Sequence, residues 1–114
     1  MKAFELNRLL QQAEQGGGPY LEFLRAPWLS MGIYRLPADG ADKQLPHTED
    51  EVYYVLQGRG RFRAASEDRE VQAGSIMFVP SGVEHRFHTI EEDLLLMVFF
   101  APAECSRAPS TAPA

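Results

Sequence analysis

The 114 residues, 45% of them hydrophobic and 24% charged, have an ordinary globular composition and suit one domain. The net charge of -5 argues against nucleic acid or an anionic membrane surface as partner, and the longest apolar run, Leu94 to Ala101, falls far short of the ~20 residues that a membrane-spanning helix needs. Cys105 stands alone and so permits no intrachain disulfide, and Glu5, Asn7 and Arg8 interrupt any apolar leader; the expected location is a reducing cytoplasm.

Phe4 to Gln15 is rich in helix formers, with Phe4, Leu6, Leu9, Leu10 and Ala13 near helical spacing, and Gly16-Gly17-Gly18-Pro19 ends the pattern. Residues 1–18 are therefore read as a short amphipathic helix and a Gly-rich linker, packed outside the main body or ordered against a partner subunit. Tyr20 to Arg25 and Trp28 to Leu36 have the aromatic and aliphatic content of strands, broken by Ala26-Pro27, and Pro37 to Asp42 is a loop.

The stretch from Leu45 to Gly58 carries the first chemistry. On a straight strand, with a rise of about 3.3 Å per residue, His47 and Glu51 would stand roughly 13 Å apart, too far to share an ion. Thr48-Glu49-Asp50 is turn-prone, so a hairpin with a three-residue loop is expected, across which the two side chains come within reach of one metal. From Glu51 to Leu56 the alternation puts Glu51, Tyr53 and Val55 on one face and Val52, Tyr54 and Leu56 on the other. Both faces are apolar, so one is expected to line an interior and the other to be covered by the N-terminal helix or by a second subunit. Gly58-Arg59-Gly60 reads as the turn that ends this strand.

Arg61-Phe62-Arg63 continues as a half-exposed strand, and Ser66-Glu67-Asp68 turns back into Glu70-Val71-Gln72. Gly74 to His85 is an apolar strand, a Pro80-Ser81-Gly82 turn and a histidine opening another strand. From there His85, Phe87 and Thr89 share one face and Glu84, Arg86 and His88 the other, so His85 and His88 are not both ligands. Glu91-Glu92-Asp93 reads as an acidic turn, Leu94 to Phe100 as a buried strand, and residues 102–114 as an Ala/Pro-rich tail with little to bury. Many short strands bounded by Gly and Pro predict an all-β sandwich or barrel.

Two spaced motifs resemble those of the cupins. Gly40, His47, Glu51 and Gly58 match the first, and Gly74, Pro80, Gly82 and His85 the second. The resemblance implies a jelly-roll barrel over residues 19–101 behind a short N-terminal helix. It departs at two positions: Leu45 stands where the family has the first histidine of a pair, and Thr89 where it has an asparagine. The implied ligand set is His47, Glu51 and His85, which resembles the open two-histidine, one-carboxylate triad of non-haem iron sites.

Glu51 is the telling residue, because a carboxylate opening an otherwise apolar, inward-facing strand is costly to bury unless paired or bound to a cation. Glu49 is a rival ligand that could fill the vacancy left by Leu45, although its place in a turn favours a solvated acid. Leu45, Tyr53 and Phe87, with Tyr34 as a further candidate, are expected to line the pocket; aromatic residues in a small barrel are also plain core. The cofactor implied is one divalent transition metal, iron, manganese, nickel, copper or zinc. The partners implied are a small organic molecule and a second copy of the chain in a homodimer. The expected activity is oxygenation or isomerisation of that molecule, and the alternative is a non-catalytic module that binds or senses a metal or small ligand.

Overall fold

The computed structural model describes residues 1–42 and 46–106. In chain order its elements are α1 (Leu6–Gly16), β1 (Tyr20–Ala26), β2 (Leu29–Leu36), β3 (Asp50–Ala64), β4 (Glu67–Gln72), β5 (Ile76–Val79) and β6 (His85–Ala101). All strand pairs are antiparallel, in the order β1-β2-β6-β3-β4, with β5 on β3 beside Glu51 to Tyr54. This is a jelly-roll fold whose hydrogen-bonded path stays open at β1 and β4. Among the described residues no helix is long and apolar enough to cross a membrane.

Strands β3 and β6 pair along nearly their whole lengths, from Asp50 against Ala101 to Ala64 against His85. Two expected turns are therefore absent. Gly58-Arg59-Gly60 does not end a strand, and Glu91-Glu92-Asp93 does not begin one; both lie inside the long pair, where the register shifts at Gln57 and Arg59. The buried positions of β3 move from odd (Glu51, Tyr53, Val55) to even (Gly60, Phe62) across this bend. In β6 the same change falls at Thr89, which has a φ of 48° and turns outward, so the expectation that Thr89 shares a face with His85 fails while Ile90 takes the inward place. Gly58 is required by the bend, since its φ is 97° and an added Cβ would lie 2.1 Å from the Asp93 carbonyl oxygen.

Inside the bent sheet lies one apolar core, built from Tyr34, Leu36, Tyr53, Val55, Phe62, Phe87, Leu94, Leu96, Val98 and Phe100 among others. Each fully buried large side chain there is worth about 1.5–3 kcal/mol of transfer free energy. On the outside, α1 buries Leu9 and Ala13 against Ile33, with Leu56, Leu95 and Met97 packed around them, and it ends at Gly17 in the left-handed conformation. The helix thus covers one part of the outer face. Tyr54, Ile76 and Phe78, on the outward side of β3 and β5, remain exposed at 40%, 66% and 62%.

The start of the C-terminal tail also departs from expectation. Ala103 is buried, its N–H donates to the Pro27 carbonyl, and Glu104 and Cys105 hydrogen-bond to the body of the fold. Residues 102–106 form a hook that turns back over one end of the sheet, because each of these backbone groups finds a partner there.

Candidate metal centre

That end of the sheet is where the strand alternation delivers Glu51. The phase that puts Tyr53 and Val55 in the core puts Glu51 in the same interior, at 1% exposure. His85 is the first residue of β6 and is also buried.

His47 arrives differently from the expected hairpin. Residues 46–49 form no strand; they are an irregular loop strapped to the turn between β5 and β6. Gly82 N–H donates to the His47 carbonyl (2.7 Å), Ser81 N–H to Asp50 Oδ1 (2.9 Å), and the Ser81 hydroxyl to the Thr48 carbonyl (2.7 Å). The imidazole of His47 then packs on Phe100, ring centroids 4.7 Å apart.

The three side chains converge. His85 Nε2 lies 3.0 Å and His47 Nδ1 3.4 Å from Glu51 Oε1, and one donor atom from each residue lies within 4.8 Å of the others. These contacts are close enough for attraction but misaligned for hydrogen bonding: both Glu51 oxygens and His47 Nδ1 are buried and make no hydrogen bond. A buried carboxylate without hydrogen bonds is costly, and a cation held by exactly these orphaned atoms would satisfy it. The donor set of two imidazoles and one carboxylate fits a divalent transition metal.

The remaining nitrogens are held from outside. His85 Nδ1 donates to the Val83 carbonyl at 2.8 Å, which leaves Nε2 facing Glu51 and, at 3.1 Å, the Tyr53 hydroxyl. His47 Nε2 is 3.1 Å from Glu104 Oε2, an acid of the hook. Burial works against a charged His47, but the hydrogen bond to Glu104 and the close negative charges of Glu51 and Glu104 outweigh it and push its pKa up to about 9. Burial likewise opposes a charged His85, and Glu51 with the Val83 carbonyl raises its pKa nonetheless. For Glu51, burial favours the neutral acid, yet His47 and His85 hold the carboxyl below its usual range.

Glu49 is neither solvated nor part of the convergent trio. It is 1% exposed, and its Oε1 accepts the Cys105 N–H at 2.9 Å while Thr48 Oγ1 donates to its Oε2, so it fastens the hook. Leu45 lies outside the described residues. Tyr53 and Phe87 are fully buried, in an aromatic cluster with Phe62 in which Tyr53 also touches the His85 ring at 5.8 Å. Tyr34 donates its hydroxyl to Asp42 Oδ1, and Asp42 Oδ2 accepts the Phe87 N–H, which ties the loop after β2 to the core. His88 faces outward and meets Asp68, as the alternation requires.

Sequence reading missed two residues beside the centre. Glu104 left one signal, as the only acid in an Ala, Pro, Ser and Thr tail. Tyr20 left none: its ring lies against Gly32, where an added Cβ would come within 2.2 Å of it. Its hydroxyl is buried without a hydrogen bond, and burial together with the charges of Glu104, Glu22 and Glu51 pushes its pKa far above the usual phenol range.

Fold and site together define a small jelly-roll protein with a buried cluster, His47, Glu51 and His85, whose donor atoms could hold a metal ion. The cupin domain family matches residues 32–100, and the chain belongs to that family. A Streptomyces coelicolor protein described as uncharacterized is 45% identical over 104 residues, covering 91% of this chain and 99% of its own. The acireductone dioxygenase of Phaeosphaeria nodorum is 35% identical over 52 residues, which is 41% of this chain and 30% of that enzyme. Among solved structures, a Thermus thermophilus protein aligns with a TM-score of 0.71 at 24% identity, covering 90% of this chain and 99% of that one. This last likeness is one of fold.

Proposed function

We propose that the chain holds one divalent transition metal ion between His47, Glu51 and His85 and acts through it on a small organic molecule, as a non-haem oxygenase or isomerase. The carrying observation is the buried trio whose inward atoms, both Glu51 oxygens and His47 Nδ1, have no hydrogen-bond partner. The partial similarity to acireductone dioxygenase supports the oxygenase form of the reading.

A bound ion would supply Lewis acidity or redox chemistry, with positions left open beyond the three protein ligands. The chain's own groups do the rest. Glu51 offsets part of the ion's charge, the Val83 carbonyl fixes the ring of His85, and the core around Tyr53 and Phe62 keeps water from that side.

Purified protein loaded with ferrous iron should take up about one ion per chain and consume dioxygen with acireductone or a related enediol. Stoichiometric metal without turnover across such a panel would favour the alternative, a binding or sensing module. The near-complete burial of Glu51 and His85 is the observation on that side. The homodimer reading is supported by the exposed Tyr54, Ile76 and Phe78. A monomer in sedimentation at micromolar concentration would reject it.

A further inference from the structure

We propose that Glu104 is a positioning residue of the metal centre: from the C-terminal hook it holds the Nε2–H of His47 and so selects Nδ1 as the nitrogen that meets the ion. The inference rests on the metal reading above and adds which histidine atom binds and what decides it.

A neutral imidazole carries its proton on one nitrogen only, and the partner of one nitrogen determines the role of the other. Glu104 Oε2, 3.1 Å from Nε2, is a carboxylate oxygen that accepts and does not donate, so the proton belongs on Nε2. The lone pair then sits on Nδ1, the buried nitrogen without a hydrogen bond that lies 3.4 Å from Glu51 Oε1. A carboxylate behind a metal-bound histidine orients the ring and raises its basicity, and removing such a partner typically costs ~10–100-fold in metal affinity.

The hook is built to hold that carboxylate in place. Glu104 N–H donates to Ser30 Oγ at 2.8 Å, Arg25 Nη2 donates to the Glu104 carbonyl at 2.7 Å, and Cys105 N–H donates to Glu49 Oε1 at 2.9 Å. Ser30 and Glu49 are themselves fully buried, and such polar groups remain inside only when paired. The two histidines thus differ: His85 is fixed by a carbonyl two residues away, whereas His47 is fixed by a side chain 57 positions along the chain. The orientation of His47 consequently depends on the hook being docked.

The test measures zinc affinity by competition calorimetry for wild-type protein, Glu104→Ala and Glu104→Gln, together with ring-nitrogen NMR of the zinc-loaded wild type. Glu104→Ala should bind zinc ~10–100-fold more weakly. Glu104→Gln keeps an acceptor oxygen at the same place and should recover most of that loss. The spectra should show zinc on Nδ1 and the proton on Nε2 of His47. Zinc on Nε2, an unchanged affinity in Glu104→Ala, or a Gln variant as weak as the Ala variant would each overturn the assignment. Failure of the wild-type protein to bind zinc would instead overturn the metal reading itself, so the two failures are distinguishable.

Discussion

Two histidine–carboxylate clusters flank the long β3–β6 pair, one on each side of the sheet. On the outside, His88 Nε2 and Arg61 Nε meet the two Asp68 oxygens at 2.9 and 3.0 Å, and Arg63 adds a contact at 3.5 Å. Inside, Glu51 meets His85 and His47 at similar distances but accepts no hydrogen bond from either. Each sets a carboxylate against histidine at similar separations, but the outer one adds two arginines, and burial and alignment differ. The outer carboxylate is satisfied by neighbours and solvent, and such surface pairs contribute little to stability. The inner one has been carried out of water without a hydrogen bond, so it depends on a positive charge beside it, a protonated His47 in the metal-free protein or a bound cation. Only the second arrangement therefore calls for a ligand.

The contrast breaks first at Glu51. Glu51→Gln should lower metal affinity by more than the ~100-fold upper end expected for removing an outer-shell partner, because it removes a ligand outright. Calorimetric titration of the variant with zinc measures this, and near wild-type affinity would return Glu51 to the status of an ordinary buried acid.

Next in size is the effect of metal on stability and its pH dependence. At a free zinc concentration a hundredfold above Kd, the wild type should gain about 2.7 kcal/mol. In the metal-free protein the His47 pKa is raised from 6.5 to about 9, so the stability its charged form supplies is fully present below pH 6.5 and is lost as pH rises through about 9. Glu51, held below 4.5, contributes above that value and loses its contribution as pH falls through its lowered pKa. Zinc must displace the imidazole protons, so its affinity rises over the same interval in which the metal-free protein weakens. The gap in melting temperature between zinc-loaded and chelated protein should widen from pH 6 to pH 9, and a constant gap would count against His47 as a ligand.

Gly58 stands at the bend between the two halves of β3. Gly58→Ala should destabilise the fold by at least about 1–3 kcal/mol, since it adds left-handed strain and a clash with the Asp93 carbonyl. Chemical denaturation measures the loss. The smallest effect belongs to the outer cluster: Asp68→Asn should change stability little and leave zinc affinity untouched. A loss of zinc affinity there would dissolve the distinction between the two clusters.

Much of this was legible in local pattern. The alternation from Glu51 to Leu56, the breakers around α1 and the outward turn of His88 follow from nearest-neighbour chemistry, which a linear chain displays directly, while the grouping of His47, Glu51 and His85 is what the resemblance of two spaced motifs to those of the cupins implies. What local pattern misplaced were features decided by contacts distant in sequence. Gly58 looks like a turn residue because glycine permits positive φ, yet here it serves the close approach of β6. Glu49 looks solvated because it follows a turn-prone threonine, yet Cys105, 56 positions away, buries it. The tail looks featureless because it has few apolar groups, yet its backbone donors dock it on the fold and one carboxylate reaches His47. Sequence alone determined which side chains are present as candidates; only the tertiary structure decided that His47, Glu51 and His85 meet and that Glu104 stands behind His47, because contacts between distant segments depend on where the chain returns and not on which residues adjoin.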